Sequence, residues 1–357
     1  MLMLRKIAAF FISASMVLSS FTINSVFAAD EETTPVVNNE NIGKIAAFPG
    51  AEGGGMYATG AREAIANGDE MEVYHVTSLK DSGAGTFRDA VSKGNRIVVF
   101  DVSGIIDLET NITIGGGNKN NVTILGQTAP GDGICFRGNN IKVSGENIIM
   151  RYLRFRVGDK LANGSNTRTQ DGLEVVDDTT TVIIDHCSVT WGTDENLTAY
   201  AVKDVTIQNC IIAEALNQSI HSKGEHSYAA IWGGVNLSVH HNIIATHRSR
   251  NPKIGTSETT AMTAGYEDKD TVVDIRNNII YNWGDKAGYG SENRAKTNIV
   301  NNVYKPGPAT PENKRARIFE FSVGKKHGSV QSGSVYAEGN FIDDDMDTPL
   351  AKSNAAA

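Results

Sequence analysis

Apolar and polar positions alternate along most of this chain in runs of five or six residues, and the runs share one pattern. Two or three β-branched residues lead into a polar pair, often closed by Asn, and a second β-branched pair follows. The clear copies are VIIDHC at 182–187, VTIQNC at 205–210, LSVHHN at 237–242, VDIRNN at 273–278, NIVNN at 298–302 and VYAEGN at 335–340. Their last residues lie 23, 32, 36, 24 and 38 positions apart. Earlier copies are NIIMRY at 147–152, NVTI at 121–124 and RIVVF at 96–100. Alternation with period two predicts strands, not helices. A minimum repeat near 23 with variable insertions predicts an all-β solenoid, a parallel β-helix of three short sheets with coils about 4.8 Å apart. The one helix expected is short, around 61–67.

Equivalent residues of successive coils stack in such a fold. Asn242, Asn278 and Asn302 should then form an internal amide ladder that satisfies buried polar groups at a turn. Cys187 and Cys210 share a phase. Their Cα atoms should be close enough for a disulfide, but parallel side chains favour two buried thiols, with Cys135 a third in the core.

Composition narrows the class. The chain has 357 residues, with 40% hydrophobic content, 36 Gly, 8 Pro and 3 Cys. That supports a large core and excludes both a disordered polymer and a disulfide-dense mini-domain. A formal net charge of −8 argues against a general nucleic-acid binder. Residues 1–28 have a basic start at Arg5 and Lys6, an apolar run and small residues before Ala28, the layout of a secretory signal peptide. A polar linker is expected at 29–44, the β-helix at 45–345 and a polar tail at 346–357. Secretion is therefore expected, with no membrane attachment after cleavage.

Some ionisable residues recur with the coils. Asp171 and Asp194 are 23 positions apart, and each precedes a stacked Cys by 16, which gives them one phase. Lys223 follows Asp194 by 29 and Arg250 follows Lys223 by 27. Asp171, Asp194 and Glu195 offer hard oxygen ligands of the kind Ca²⁺ prefers. Lys223 and Arg250 add cations to the same face. A Ca²⁺ site flanked by Lys and Arg would hold a polyanion, most naturally a polyuronate. The plainer readings are a solvated loop at 194–195 and ordinary surface cations at Lys223 and Arg250. Asp177 and Asp178 read as a turn. His186, His240 and His241 read as packed or hydrogen-bonded, while His221 and His226 flank Lys223 in a loop.

Three stretches carry a resemblance: FPGAEGGG at 48–55, VIIDHCSVTW at 182–191 and HRSRNPK at 247–253. With coils of suitable length between them, the sequence resembles the secreted pectate lyases of polysaccharide lyase family one over residues 45–343. The resemblance implies a right-handed parallel β-helix that acts as a Ca²⁺-dependent pectate lyase. Such an enzyme cleaves (1→4)-α-D-galacturonan by β-elimination and releases 4,5-unsaturated oligogalacturonides. The expected partner is polygalacturonate, bound by a monomer. The resemblance makes Asp171 a calcium ligand, with Asp194 or Glu195 beside it. It makes Lys223 a substrate-carboxylate ligand and Arg250 the base. An arginine base predicts an alkaline optimum. Gly255 stands where the family often has a second arginine, and Lys253 could supply that charge. The alternatives are a β-helical polygalacturonan hydrolase, for which Asp177 and Asp178 are the adjacent pair that could serve, and a non-catalytic polysaccharide-binding β-helix.

Overall fold

A computed structural model describes residues 44–159, 169–176, 178–255, 271–291, 295–322, 324–326, 329–331 and 333–343. The expected signal segment, most of the linker, the tail and Asp177 lie outside these residues. Strands dominate, and nearly all pair in parallel with the strand one coil away, as the repeat predicts. Three ladders run along the coils. The first contains Arg96–Phe100, Glu146–Arg151, Thr180–Asp185, Val272–Arg276 and Lys296–Val300. The second contains Ile134–Arg137, Arg154–Arg156, Ser188–Thr190, Ile211–Ala213, Ile243–Ala245 and Ile279–Tyr281. The third contains Ile141–Val143, Leu173–Val176, Lys253–Ile254 and Gly288–Gly290.

The expectation of three separate sheets needs one correction. Leu197–Gln208 and Ile231–His240 are 12 and 10 residues long and pass from the third ladder into the first without a break. The two ladders are thereby hydrogen-bonded into a single 16-stranded sheet, and the second ladder forms a 9-stranded sheet of its own. The pairing register slips between Tyr200 and Val202, where Ala201 takes φ 57°. A bulge there lets one strand turn the corner.

Inward-facing positions stack into continuous columns. Val122, Ile148, Val182, Val205, Leu237 and Val273 form one, all fully buried. Phe136, Phe155, Val189, Ile212, Ile244, Ile280 and Tyr304 form another. Stacking identical faces buries apolar area at roughly 25 cal/mol per Å², which explains why a 23-residue coil without a core of its own is stable in the array.

The amide ladder is present and one coil longer than expected. Asn242 Nδ2 donates to Asn278 Oδ1, Asn278 to Asn302, and Asn302 to Asn340, at 3.0, 3.0 and 3.1 Å. At its start Asn242 Oδ1 accepts from the Cys210 backbone N–H at 2.8 Å. Cys135, Cys187 and Cys210 are buried free thiols. The expected short helix is Arg62–Asn67. A second, Phe87–Ala90, buries Phe87 against Phe136 at 4.5 Å.

The glycine-rich stretch near residue 50 is a strap lying across the outside of the first ladder. Its backbone N–H groups at Glu52, Gly54 and Gly55 donate to Gln208 Oε1, Ser238 Oγ and Thr206 Oγ1. Side chains would prevent that approach. A Cβ at Gly54 would lie 2.0 Å from the Asn236 carbonyl oxygen, and one at Gly55 2.1 Å from that of Val182.

Candidate active site and metal centre

The turn entering the third ladder gathers the charged residues. Asp171 lies two positions before Leu173–Val176, and Glu195 two before Leu197–Gln208. Leu173 pairs with Leu197, so Asp171 stands opposite Glu195. The shared phase expected for Asp171 and Asp194 is thus displaced by one residue. Three residues separate Val176 from Thr180 but only two separate Tyr200 from Lys203, so the earlier coil carries one more residue between this turn and the cysteine column from which the phase was counted. All three carboxylates nevertheless converge, with oxygens within 4.8 Å of one another.

Glu195 is buried and Asp171 and Asp194 are partly so, and Asp171 is the one held by its neighbours. Thr198 Oγ1 donates to its Oδ2, and the Glu195 backbone N–H donates to its Oδ1 at 3.3 Å. Burial first, then Glu174 and Asp194, hold its carboxyl well above the usual carboxylate range, against Thr198 and Arg250. Three acids packed this closely are short of positive charge. Asp194 Oδ1 is buried and has no hydrogen-bond partner. A hard divalent cation such as Ca²⁺ suits this donor set.

Two histidines hold Asp194 from its far side. His221 Nε2 lies 3.4 Å from Asp194 Oδ2, and His226 Nε2 lies 3.6 Å from Oδ1. Burial lowers the His221 pKa, with Asp194 opposing. The Lys223 backbone N–H donates to His221 Nδ1 at 3.0 Å, and His226 Nδ1 donates to the Gly224 carbonyl at 3.2 Å. The exposed Lys223 therefore sits at the tip of a loop whose two ends lie beside a metal-ligand candidate.

The two histidines begin a column of stacked groups. The His221 and His226 rings are 3.4 Å apart, His226 and Tyr228 4.7 Å, and the Arg250 guanidinium lies 4.1 Å over Tyr228. Arg250 also forms an ion pair with Glu195. Burial pushes the Tyr289 hydroxyl up, while a hydrogen bond and the charge of Arg250 pull it down. Arg250 is thus held from three sides, and its own backbone is in the left-handed region at φ 58°.

Lys253 points outward beside this cluster. Glu174, Thr198, Ile231, Lys253, Tyr289 and Glu320 fall in one outward row of the third ladder. The row carries Glu174 at the Asp171 end and Lys253 farther on, with Lys286 4.7 Å over Tyr289 and paired to Glu320 at 2.7 Å. Gly255 closes its strand by donating from N–H to the Trp232 carbonyl at 3.0 Å. Trp191, three positions before Asp194, is 44% exposed and lines hollows of about 490 and 700 Å³. The larger reaches Ser227 and Arg248, which flank Tyr228 and Arg250. Asp178 takes φ 60° in a turn, as read from the sequence.

Beneath the site lies His247, which the sequence reading missed. Asn196 Nδ2 donates to its Nε2 at 2.8 Å, and its Nδ1 donates to Asn251 Oδ1 at 3.0 Å. Asn196 adjoins Glu195 and Asn251 adjoins Arg250, so one neutral imidazole ties the two turns together. Burial drives its pKa down to about 3, against the Asn251 bond. The folded state refuses a proton that the unfolded chain accepts near 6.5. Its contribution is therefore complete above that value and declines as pH falls toward 3. Stability should drop by about 2 kcal/mol by pH 5 from this group alone. Thermal melts of the parent and His247→Gln between pH 7 and 5 check this, and parallel slopes would refute it.

No family model matches the chain. It is 36% identical over 315 residues to a probable pectate lyase C of Aspergillus terreus, covering 87% of this chain and 64% of that protein. It is 38% identical over 312 residues to a probable pectate lyase C of Aspergillus flavus, covering 86% and 62%. The chain thus spans under two thirds of the length of these relatives. Among solved structures, a pectate lyase bound to a hexasaccharide aligns over 88% of this chain and 91% of its own, with a TM-score of 0.57 at 15% identity. Jun a 1, the major allergen from cedar pollen, aligns over 85% and 87% with a TM-score of 0.58 at 14% identity.

Proposed function

From its relationship to proteins named pectate lyase over most of its length, and from the parallel β-helix it shares with solved pectate lyases, we propose that this chain is a Ca²⁺-dependent pectate lyase. Its substrate is polygalacturonate, and residues 1–28 direct its secretion. The observation that carries the reading is the convergence of Asp171, Asp194 and Glu195 beside Arg250 on one outward face.

The chemistry follows from charge. Asp171, Asp194 and Glu195 would hold the ion, and bound Ca²⁺ would supply positive charge to a substrate carboxylate. Lys223 on its loop and Lys253 on the outward row receive carboxylates of the extended chain. Arg250 takes the proton from C5, beside the carboxylate. The C5–H electrons form the C4=C5 double bond, the C4–O bond breaks, and the departing oxygen gains a proton from solvent. The negative charge that develops at the carboxylate is the main barrier, and fixed cations around it lower that barrier. Tyr228, Tyr289 and Glu195 orient the group; release from Glu195 removes the carboxylate that favours its charged form, and only after the guanidinium gives a proton to solvent does the neutral guanidine act as the base.

A hydrolase would instead use two carboxylates about 5 to 9 Å apart, one on each side of the bond. The carboxylates here crowd together beside a guanidinium, which favours elimination. The test is incubation of the full chain with polygalacturonate while following ultraviolet absorbance of the unsaturated uronide, with and without a calcium chelator. Absorbance that grows only with Ca²⁺ is expected. New reducing ends without absorbance would mean hydrolysis. Binding without either signal would mean a non-catalytic β-helix.

A further inference from the structure

His240 and His241 stand apart from the catalytic face. His240 ends Ile231–His240 on the outward row of the first ladder, in register with Gln208 and Arg276. The strap crosses this row, and Glu52 hangs over it, fixed by its own backbone. Its N–H donates to Gln208 Oε1 at 3.1 Å, and its carbonyl accepts from Thr206 Oγ1 at 2.8 Å. We propose that Glu52, His240 and His241 form a second metal site, for a borderline divalent transition ion such as Zn²⁺ or Ni²⁺, that staples the glycine-rich strap to the coil.

Three observations carry this. One ring nitrogen from each histidine and a Glu52 carboxylate oxygen lie within 4.8 Å of one another. The two Nδ1 atoms are 2.9 Å apart with the rings nearly perpendicular at 89°. His240 is only 3% exposed, and its Nε2 is buried without a hydrogen-bond partner. An ion held by this pair would displace the proton shared between the two Nδ1 atoms and take its place. Two imidazoles and one carboxylate are the donor set of zinc and its neighbours, not of calcium. Glu52 and His241 are exposed, which leaves the ion an entry path and room for water. The nearby Arg276 is engaged with Asp274 at 2.5 Å, so its charge is locally compensated.

The ligands come from two separate parts of the chain. Glu52 belongs to the strap, while the histidines belong to a strand nearly 190 residues later. Binding would therefore stabilise the fold and leave the charged row of the third ladder untouched.

The full chain is stripped with chelator, returned to saturating Ca²⁺ and titrated with ZnCl₂ and with NiCl₂ by calorimetry, with thermal melts alongside. Calcium is kept present so that Asp194 is engaged elsewhere. One site of micromolar or tighter affinity is expected, with Tm raised by a few degrees at about 100-fold excess over Kd. His241→Ala removes an exposed ring and should fold normally. It should weaken binding at least about tenfold, as should Glu52→Gln, while calcium-dependent activity is unchanged. His221→Ala should leave this binding intact. Absence of binding at 100-fold molar excess, binding that survives His241→Ala, or binding lost in His221→Ala would each overturn the proposal.

Discussion

Replacing Arg250 with lysine is expected to lower kcat by about 10²–10⁴-fold, the range in which a positioned acid–base group contributes. The fold should survive, because Arg250 sits at a turn, partly exposed, and fills no part of the apolar columns. Lysine keeps the positive charge but cannot reproduce the planar contact over Tyr228 at 4.1 Å. The ion pair with Glu195 sets a further consequence. Glu195 is also a candidate calcium ligand, so guanidinium and metal compete for one carboxylate. Arg250→Lys should therefore leave calcium affinity unchanged or tighten it. Steady-state kinetics on polygalacturonate and a calcium titration of the same sample check both halves. A variant that loses calcium affinity in proportion to its turnover would reassign Arg250 as a prop of the metal site. Arg250→Ala separates charge from shape. It should be no more active than the lysine variant and should bind calcium at least as well.

The fold was legible in the chain because a solenoid writes its geometry as repetition. Each VIIDHC-like run predicts one strand and one turn, and the Asn column follows from phase alone. The observed bonds from Asn242 to Asn340 extend that logic by one coil. Phase fails where one coil carries a residue more than the next between two strands. Counting from Cys187 and Cys210 pairs Asp171 with Asp194, whereas the extra residue between Val176 and Thr180 pairs it with Glu195. A count along the sequence registers residues, and a longer corner adds one without adding height. The fusion of two ladders was hidden for a related reason, since nothing in the pattern separates a bent strand from two short ones.

The candidate site divides in the same way. Its charged members stood out because charge recurring on an apolar repeat is visible. The parts that orient them were not. His221, His226, Tyr228 and His247 act through stacking and neutral hydrogen bonds across coils, and neither has a spacing rule. Their one signal was position: two histidines flank Lys223, and His247 lies three before Arg250. The glycine-rich stretch near residue 50 carries part of the resemblance. Its physical role, close backbone approach to the first ladder, needs the carbonyl oxygens of Val182 and Asn236 in place.

Asp171→Asn should move stability and metal affinity in opposite directions. Without a cation, the buried Asp171 carboxyl pays for its place beside Glu174 and Asp194, which is why its pKa is held well above the usual range. An amide removes one negative charge and keeps an oxygen to accept from the Glu195 N–H or from Thr198. In calcium-free buffer at neutral pH the variant should therefore be more stable than the parent, by roughly 1 kcal/mol, as for other strained functional sites relieved by mutation. The same change deletes a ligand and its charge. Calcium affinity should fall by about two orders of magnitude, since ligand charge count moves calcium sites across decades of Kd. Melting curves with chelator and with excess calcium then cross: the variant melts higher in the first and the parent higher in the second. Asp178→Asn, in a turn outside the cluster, should shift neither curve. An Asp171→Asn protein that is less stable in chelator would show that the carboxylate is held by structural need, and the case for a cation-deficient cluster would fail with it.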